Sequence, residues 1–171
     1  SDLDDERRIV DLTPGSPTRE PFLATLSWEI SRRGISDVLR RGMSYGPLHL
    51  TLFYGPSARP PHGSPRLYRQ NRFSVTPRLA VRPGDQKLRL DLCLLVNGLP
   101  VITIQCGEGD ERPTHEMAVE WYRQISPDEG SIFQKGRCLA HFVVDTERVS
   151  YCADLRERDS EFIPFTRGES D

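Results

Sequence analysis

The chain has 171 residues, 36% of them hydrophobic and 28% charged, with a formal net charge of −2. These values fit one soluble globular α/β domain with a real core and exclude a disordered chain. The charge excludes a uniformly basic nucleic-acid coat but leaves room for a local basic patch. No apolar run approaches the ~18 residues of a membrane span and no signal-peptide pattern is seen, so no membrane partner is expected.

Residues 1–18 are polar, carry Pro14, Gly15 and Pro17, and read as an extended lead-in, with Ile9, Val10 and Leu12 as docking candidates. A single domain is expected over 19–171. Thr18 reads as an N-cap, followed by Glu20 and Pro21 in a first turn. Phe22, Leu23, Leu26 and Ile30 then share one face of an amphipathic helix that Gly34 ends. Residues 37–42 form a short second helical turn, and 48–54 read as a strand. Residues 55–66 are a Pro-, Gly- and Ser-rich loop, with one helical turn expected over 67–71. Residues 73–76 and 79–81 are extended, and 82–85 form a turn. Residues 88–96 and 101–105 are the two central strands, joined by Asn97-Gly98, a strong hairpin signal. Thr114 caps a helix reaching Gln124, with Met117, Val119, Trp121 and Tyr122 as its apolar surface. The almost wholly apolar run 138–145 predicts a strand buried on both faces. Residues 149–152 and 162–165 read as short strands or edges. This order predicts an α/β sandwich around a mixed sheet.

The four cysteines, Cys93, Cys106, Cys138 and Cys152, form no C-x-x-C pair, and no histidine stands at zinc-ligand spacing, which argues against a zinc site. Cys93 and Cys138 lie in apolar runs and read as small core residues of a reducing compartment, so a cytoplasmic location is expected. The chain begins at Ser1, which fits a processed chain or a domain of a longer one.

The chemistry is concentrated on the hairpin. Asp91 lies on its first strand, and its second strand ends in Gln105-Cys106-Gly107. Metal-dependent phosphodiester cleavage needs Mg²⁺ held by carboxylates and a lysine that stabilises charge or positions water. Two adjacent strands deliver this when one supplies an aspartate and the other an acid and, two positions on, a lysine. Here Gln105 offers a carbonyl oxygen without charge, and Gly107 offers no side chain. Losing one charged contact costs about 2.7–4 kcal/mol, roughly 100- to 1000-fold in rate. Losing two removes useful turnover. Lys87 and Arg89 share a strand face with Asp91, and Glu108 and Asp110 follow Gln105, so a migrated group is the alternative. Asp91 taken alone reads as a hydrogen-bonded strand carboxylate.

Other signals are weaker. Gly107-Glu108-Gly109 is no phosphate loop, because no lysine-Ser/Thr follows it. His141, in an apolar strand, reads as a satisfied core histidine, and His115 as a solvated neighbour of a helix cap. Arg40, Arg41, Arg66, Arg69, Arg72 and Arg78 form a basic stretch with Tyr68 and Phe73 interleaved. It reads either as a track for a phosphate backbone or as a solvated surface.

Several stretches occur together in a recognisable order: Arg33-Gly34, residues 37–42, Asn71-Arg72-Phe73-Ser74-Val75-Thr76, Leu90-Asp91-Leu92 and Val96-Asn97-Gly98-Leu99-Pro100-Val101. Ala118, Tyr122-Arg123, residues 137–145 and Phe162-Ile163-Pro164-Phe165 follow. Over residues 33–168 the chain resembles the N-terminal nuclease domain of type I restriction endonuclease R subunits (HsdR). The resemblance implies a restriction-endonuclease-like PD-(D/E)xK fold that cuts DNA with Mg²⁺. It also implies a place ahead of a helicase-like motor, in complex with modification and specificity subunits. It puts Asp91 at the first metal-binding aspartate, Gln105 where the family has Glu, and Gly107 at the lysine. Trp121 takes the place of a glutamine before the tyrosine, here Tyr122. Three of these four polar groups are changed while the scaffold motifs persist.

The expectation is therefore a cleavage-defective nuclease-fold domain of a longer, motor-containing protein. Its role is DNA binding, or assembly with a motor or partner subunit of a restriction or phage-defence system. Arg69, Arg72, Arg78 and Tyr122 are the expected nucleic-acid contacts. Asp91, Gln105 and Gly107 are the degenerate catalytic positions, Lys87 the candidate migrated lysine, and Asp91 with Gln105 the candidate metal ligands. One alternative is an active, divergent Mg²⁺-dependent DNA endonuclease using Asp91, Gln105 and Lys87 or Glu108. Another is a docking domain that never meets DNA. Mg²⁺ is the expected cofactor of the active form only.

Overall fold

Asn97 and Gly98 take φ values of 51° and 82°, the left-handed pair that a two-residue hairpin turn requires. Around that turn the computed structural model describes residues 10–56, 65–81, 89–107, 114–128 and 131–165. In chain order the elements are α1 (Arg19–Arg33), α2 (Ile35–Arg41), β1 (Met43–Tyr45), β2 (Leu48–Leu50), α3 (Pro65–Tyr68) and β3 (Phe73–Ala80). They continue with β4 (Arg89–Val96), β5 (Leu99–Cys106), α4 (His115–Arg123), β6 (Ala140–Val144), β7 (Val149–Cys152) and β8 (Ile163–Pro164).

Strands β3 to β8 form one sheet in sequential order. Every neighbour is antiparallel except β5–β6, so the sheet is mixed. A parallel pair needs a long crossover, and the chain supplies it through α4. Cys93 pairs with Thr103 and Leu94 with Ile102, and successive residues of a strand point to opposite faces. One face therefore carries Cys93, Thr103 and His141, with the α4 side chain Tyr122 bonded to Thr103. The core there gathers Leu90, Val119, Tyr122, Phe133, Val143 and Cys152. A second cluster joins Phe22, Leu26 and Ile30 of α1 to Val38, Leu39 and Val101, with Leu94 and Ile102 packed against it. The result is a six-stranded mixed sheet flanked by helices, as the order of elements predicted.

Several expectations need correction. Residues 48–54 do not form one strand: β2 stops at Leu50 and pairs with β1 in a separate two-stranded hairpin. Gly42 permits this, because with φ at 68° it sits where a Cβ would collide with the Leu50 carbonyl oxygen. Thr18 precedes α1 without capping it by its side chain. Its hydroxyl donates to the Asp11 carbonyl at 2.8 Å and accepts the Asp11 amide at 3.0 Å, folding the lead-in back on itself. Val10 packs against the α1 cluster, while Leu12 is exposed and Ile9 lies outside the described residues. In α4, Thr114 accepts the Met117 amide as expected, but the Met117 side chain faces solvent.

A further correction concerns β6, which alternates buried and half-buried residues and is not buried on both faces. The α1–α2 cluster reaches β4 and β5 and includes no β6 side chain. The outer side of β6 is covered by aromatic neighbours of its own sheet. Phe142 stacks on Tyr151 at 5.8 Å and meets Phe165 edge-on at 5.7 Å. Among the described residues no helix is long and apolar enough to cross a membrane. The turn expected at 82–85 lies outside the described residues.

Candidate nucleic-acid interface and degenerate metal site

Asp91 and Gln105 each lie one residue beyond the Leu92–Ile104 pair, the last of the β4–β5 register, so both positions flank the end of that ladder. Asp91 Oδ2 accepts the Cys106 amide at 2.8 Å. Gln105 Oε1 is buried without a hydrogen-bond partner. Gly107 follows, its amide donating to the Val144 carbonyl at 2.8 Å, and it brings no side chain to the position where a lysine was sought. Lys87 and Glu108, the candidates for a migrated group, lie outside the described residues.

Mg²⁺ is commonly bound by one or two carboxylates, with water and substrate phosphate completing its shell. Asp91 and the orphaned Gln105 Oε1 are two oxygen donors of the right hardness on neighbouring strands, so the residues fit a minimal divalent site. They carry one negative charge between them. Among the described residues no group of three His, Cys, Asp or Glu side chains converges as metal ligands.

Tyr122, expected to face nucleic acid, is fully buried. Its hydroxyl lies 2.8 Å from Thr103 Oγ1, which in turn lies 2.7 Å from His141 Nδ1. Burial pushes the Tyr122 hydroxyl well above its ordinary range and holds His141 down to about 4. Tyr122 is thus a core residue, because α4 packs flat on the sheet and the Thr103 bond satisfies its hydroxyl. His141 is a satisfied core histidine, as its apolar surroundings predicted. Trp121, at the position where the resemblance puts a glutamine, packs its ring 5.1 Å from Tyr122 and 6.3 Å from Phe133. His115 is not simply solvated: its Nε2 lies 2.8 Å from Ser150 Oγ and ties α4 to β7. None of the four cysteines is in a disulfide, and burial pushes the Cys138 thiol up to about 12, which leaves it unreactive.

The basic residues lie along the edge of the sheet, where β3 is the outer strand among the described residues. Arg66, Arg69, Arg72 and Arg78 are all exposed, and none is in an ion pair among the described residues. Arg41, by contrast, pairs with Asp37 at 3.1 Å. Arg78 has φ at 51° and falls between the Pro77–Leu92 and Leu79–Leu90 pairs, which sets it opposite Asp91. The basic edge and the degenerate site therefore meet across the β3–β4 ladder. Phe53, Tyr68 and Phe73 form a ring cluster on this edge, with centroids 6.2–6.4 Å apart.

A sequence signal for this surface existed in the distribution of charge. Residues 38–84 carry eight arginines and neither aspartate nor glutamate. The near-neutral total hides this segregation. Asn71 and Asn97 were legible only as a motif and a turn residue. In the structure they hold the edge in place: Asn97 donates to Asn71 Oδ1 at 3.1 Å and to the Leu52 carbonyl at 2.7 Å, while accepting the Arg72 amide at 2.7 Å. Asn71 bonds both the amide and the carbonyl of Tyr54.

The fold is an α/β domain with a six-stranded mixed sheet and an arginine-rich outer strand. No family model, no curated protein and no solved structure matches the chain.

Proposed function

We propose that this chain is a nuclease-fold domain of the restriction R-subunit type that binds DNA without cutting it, within a restriction or phage-defence system. The PD-(D/E)xK reading of its sheet and its position beside a helicase-like motor and modification or specificity subunits belong to the same proposal. The observation that carries it is the contrast between two features. Of the positions for cleavage, Asp91 holds a carboxylate engaged by the Cys106 amide, Gln105 carries no charge and Gly107 no side chain. The arginines of the β3 edge, in contrast, are exposed and have no acidic neighbour in the sequence from Val38 to Gly84. Exposed arginines without acidic partners are suited to a phosphate backbone.

Two measurements test this. Duplex DNA binding should weaken with salt, and the Arg72→Ala/Arg78→Ala double variant should reduce the slope of log affinity against log salt by about 2. Supercoiled plasmid should remain intact with Mg²⁺ or Mn²⁺. Salt-independent or absent DNA binding would leave the docking-domain reading in its place.

One observation favours a second reading, an active divergent nuclease. Gln105 Oε1 is a buried acceptor without a partner, beside Asp91, and a divalent cation would satisfy it. Such a cation, held by Asp91 and Gln105, would act as a Lewis acid on a phosphoryl oxygen. Plasmid cutting that disappears in Asp91→Asn would establish this reading and overturn the first.

A further inference from the structure

The rings on the basic edge point to the form of nucleic acid that this surface takes. Phe73 is 58% exposed and Val75 57% exposed, although both sit in a strand of the main sheet. Phe73 is not a loose side chain. Phe53 lies against it edge-on with centroids 6.4 Å apart, Tyr68 is tilted at 6.2 Å, and Phe53 and Tyr68 also meet edge-on at 6.3 Å. The two supporting rings fix the plane of Phe73, and much of its surface remains open. Its chain neighbour is Arg72, and the chain neighbour of Tyr68 is Arg69, both exposed and outside any ion pair among the described residues. The backbone there is fixed by the Asn71–Asn97 clasp.

A fixed, open aromatic face flanked by unpaired arginines is the arrangement that binds unpaired bases: the ring stacks a base, and the cations take the adjoining phosphates. A duplex hides its base faces and would leave Phe73 exposed. A protein strand adding to the same edge is disfavoured. Pro77 removes a backbone donor from β3, and the left-handed turn of the chain at Arg78 breaks the ladder. We infer that the β3 edge is a single-stranded DNA platform, with one base stacked on Phe73 and the adjoining phosphates held by Arg69 and Arg72. This inference rests on the DNA-binding reading above and narrows it to unpaired DNA.

The test measures anisotropy of a labelled oligothymidylate of about 16 nucleotides and of a duplex of the same length. The proteins are the full chain and its Phe73→Leu and Phe73→Tyr variants, with circular dichroism as a folding check. Leucine keeps the apolar packing against Phe53 and Tyr68 but has no aromatic face, and tyrosine keeps both. The expected result is tighter binding of the single strand than of the duplex. Phe73→Leu should lower single-strand affinity roughly 10-fold while duplex affinity stays constant, and Phe73→Tyr should retain both. Equal single-strand affinity of the leucine and tyrosine variants, or a wild-type preference for duplex, overturns the platform and leaves DNA binding standing. Failure of the wild-type chain to bind either form overturns both readings.

Discussion

Asp91 Oδ2 accepts the Cys106 amide at 2.8 Å, so this carboxylate closes the end of the β4–β5 ladder. The paired register starts at Leu92 and Ile104, and just beyond it the Asp91 side chain takes the Cys106 amide. This gives Asp91 a structural role that does not depend on any metal.

Replacing Asp91 should therefore cost stability even in a protein that never cleaves DNA. Asp91→Ala removes the Asp91–Cys106 hydrogen bond and should lower the unfolding free energy by about 1–3 kcal/mol. Asp91→Asn keeps an oxygen at that place and should lose less. Urea midpoints of the two variants check this. Identical midpoints for Ala and wild type would show that the bond contributes nothing.

Tyr122 should matter for stability and not for DNA. Tyr122→Phe removes the hydroxyl from Thr103 and leaves the Thr103–His141 bond in place, so a loss of about 1 kcal/mol is expected. Its DNA affinity should equal that of wild type, because the ring is fully buried. A selective loss of DNA binding with an unchanged midpoint would contradict the core assignment.

His141 should give the protein a pH dependence of its own. Burial holds its pKa down to about 4, against an ordinary value of 6.5. Between those values the unfolded chain takes up a proton that the native core refuses. Stability is then full above pH 6.5, declines as the pH falls toward 4, and levels off below it. The whole difference is of order ~3 kcal/mol. Denaturation midpoints at pH 7 and pH 4.5 should diverge for wild type and converge for His141→Asn once their common carboxylate effects are subtracted. An equal pH response in both would refute the assignment.

The Asn71–Asn97 clasp should fix the β3 edge to the hairpin. Asn97→Ala removes three side-chain hydrogen bonds and places alanine at a φ of 51°, so a loss of about 1–3 kcal/mol is expected. Asn97→Gly tolerates the φ but still loses the clasp. If the inferred platform depends on that clasp, Asn97→Gly should weaken single-strand binding while leaving duplex binding less affected, measured by the same anisotropy titration.

Much of this fold is written locally. The Asn97-Gly98 turn needs two residues that accept positive φ, and the alternating strands on either side of it need only each other. The Thr114 cap and the helical faces of α1 and α4 likewise depend on neighbours within a few residues. The absence of an acid at Gln105 and of a side chain at Gly107 is equally plain from the chain alone. So is the run of arginines without acids from Val38 to Gly84, once charge is read by segment and not in total. What the sequence could not decide were facts about partners distant in the chain. Burial of Tyr122 depends on α4 lying over Thr103 and His141, residues 19 positions away from each side. That the outer side of β6 is only half-buried depends on how far the α1–α2 layer extends. Asp91's bond to Cys106 and Arg78's place opposite Asp91 depend on register. The openness of Phe73 depends on β3 being the outer strand of the described sheet. An alternating pattern states which residues share a face. Only the packed layers state which faces are covered.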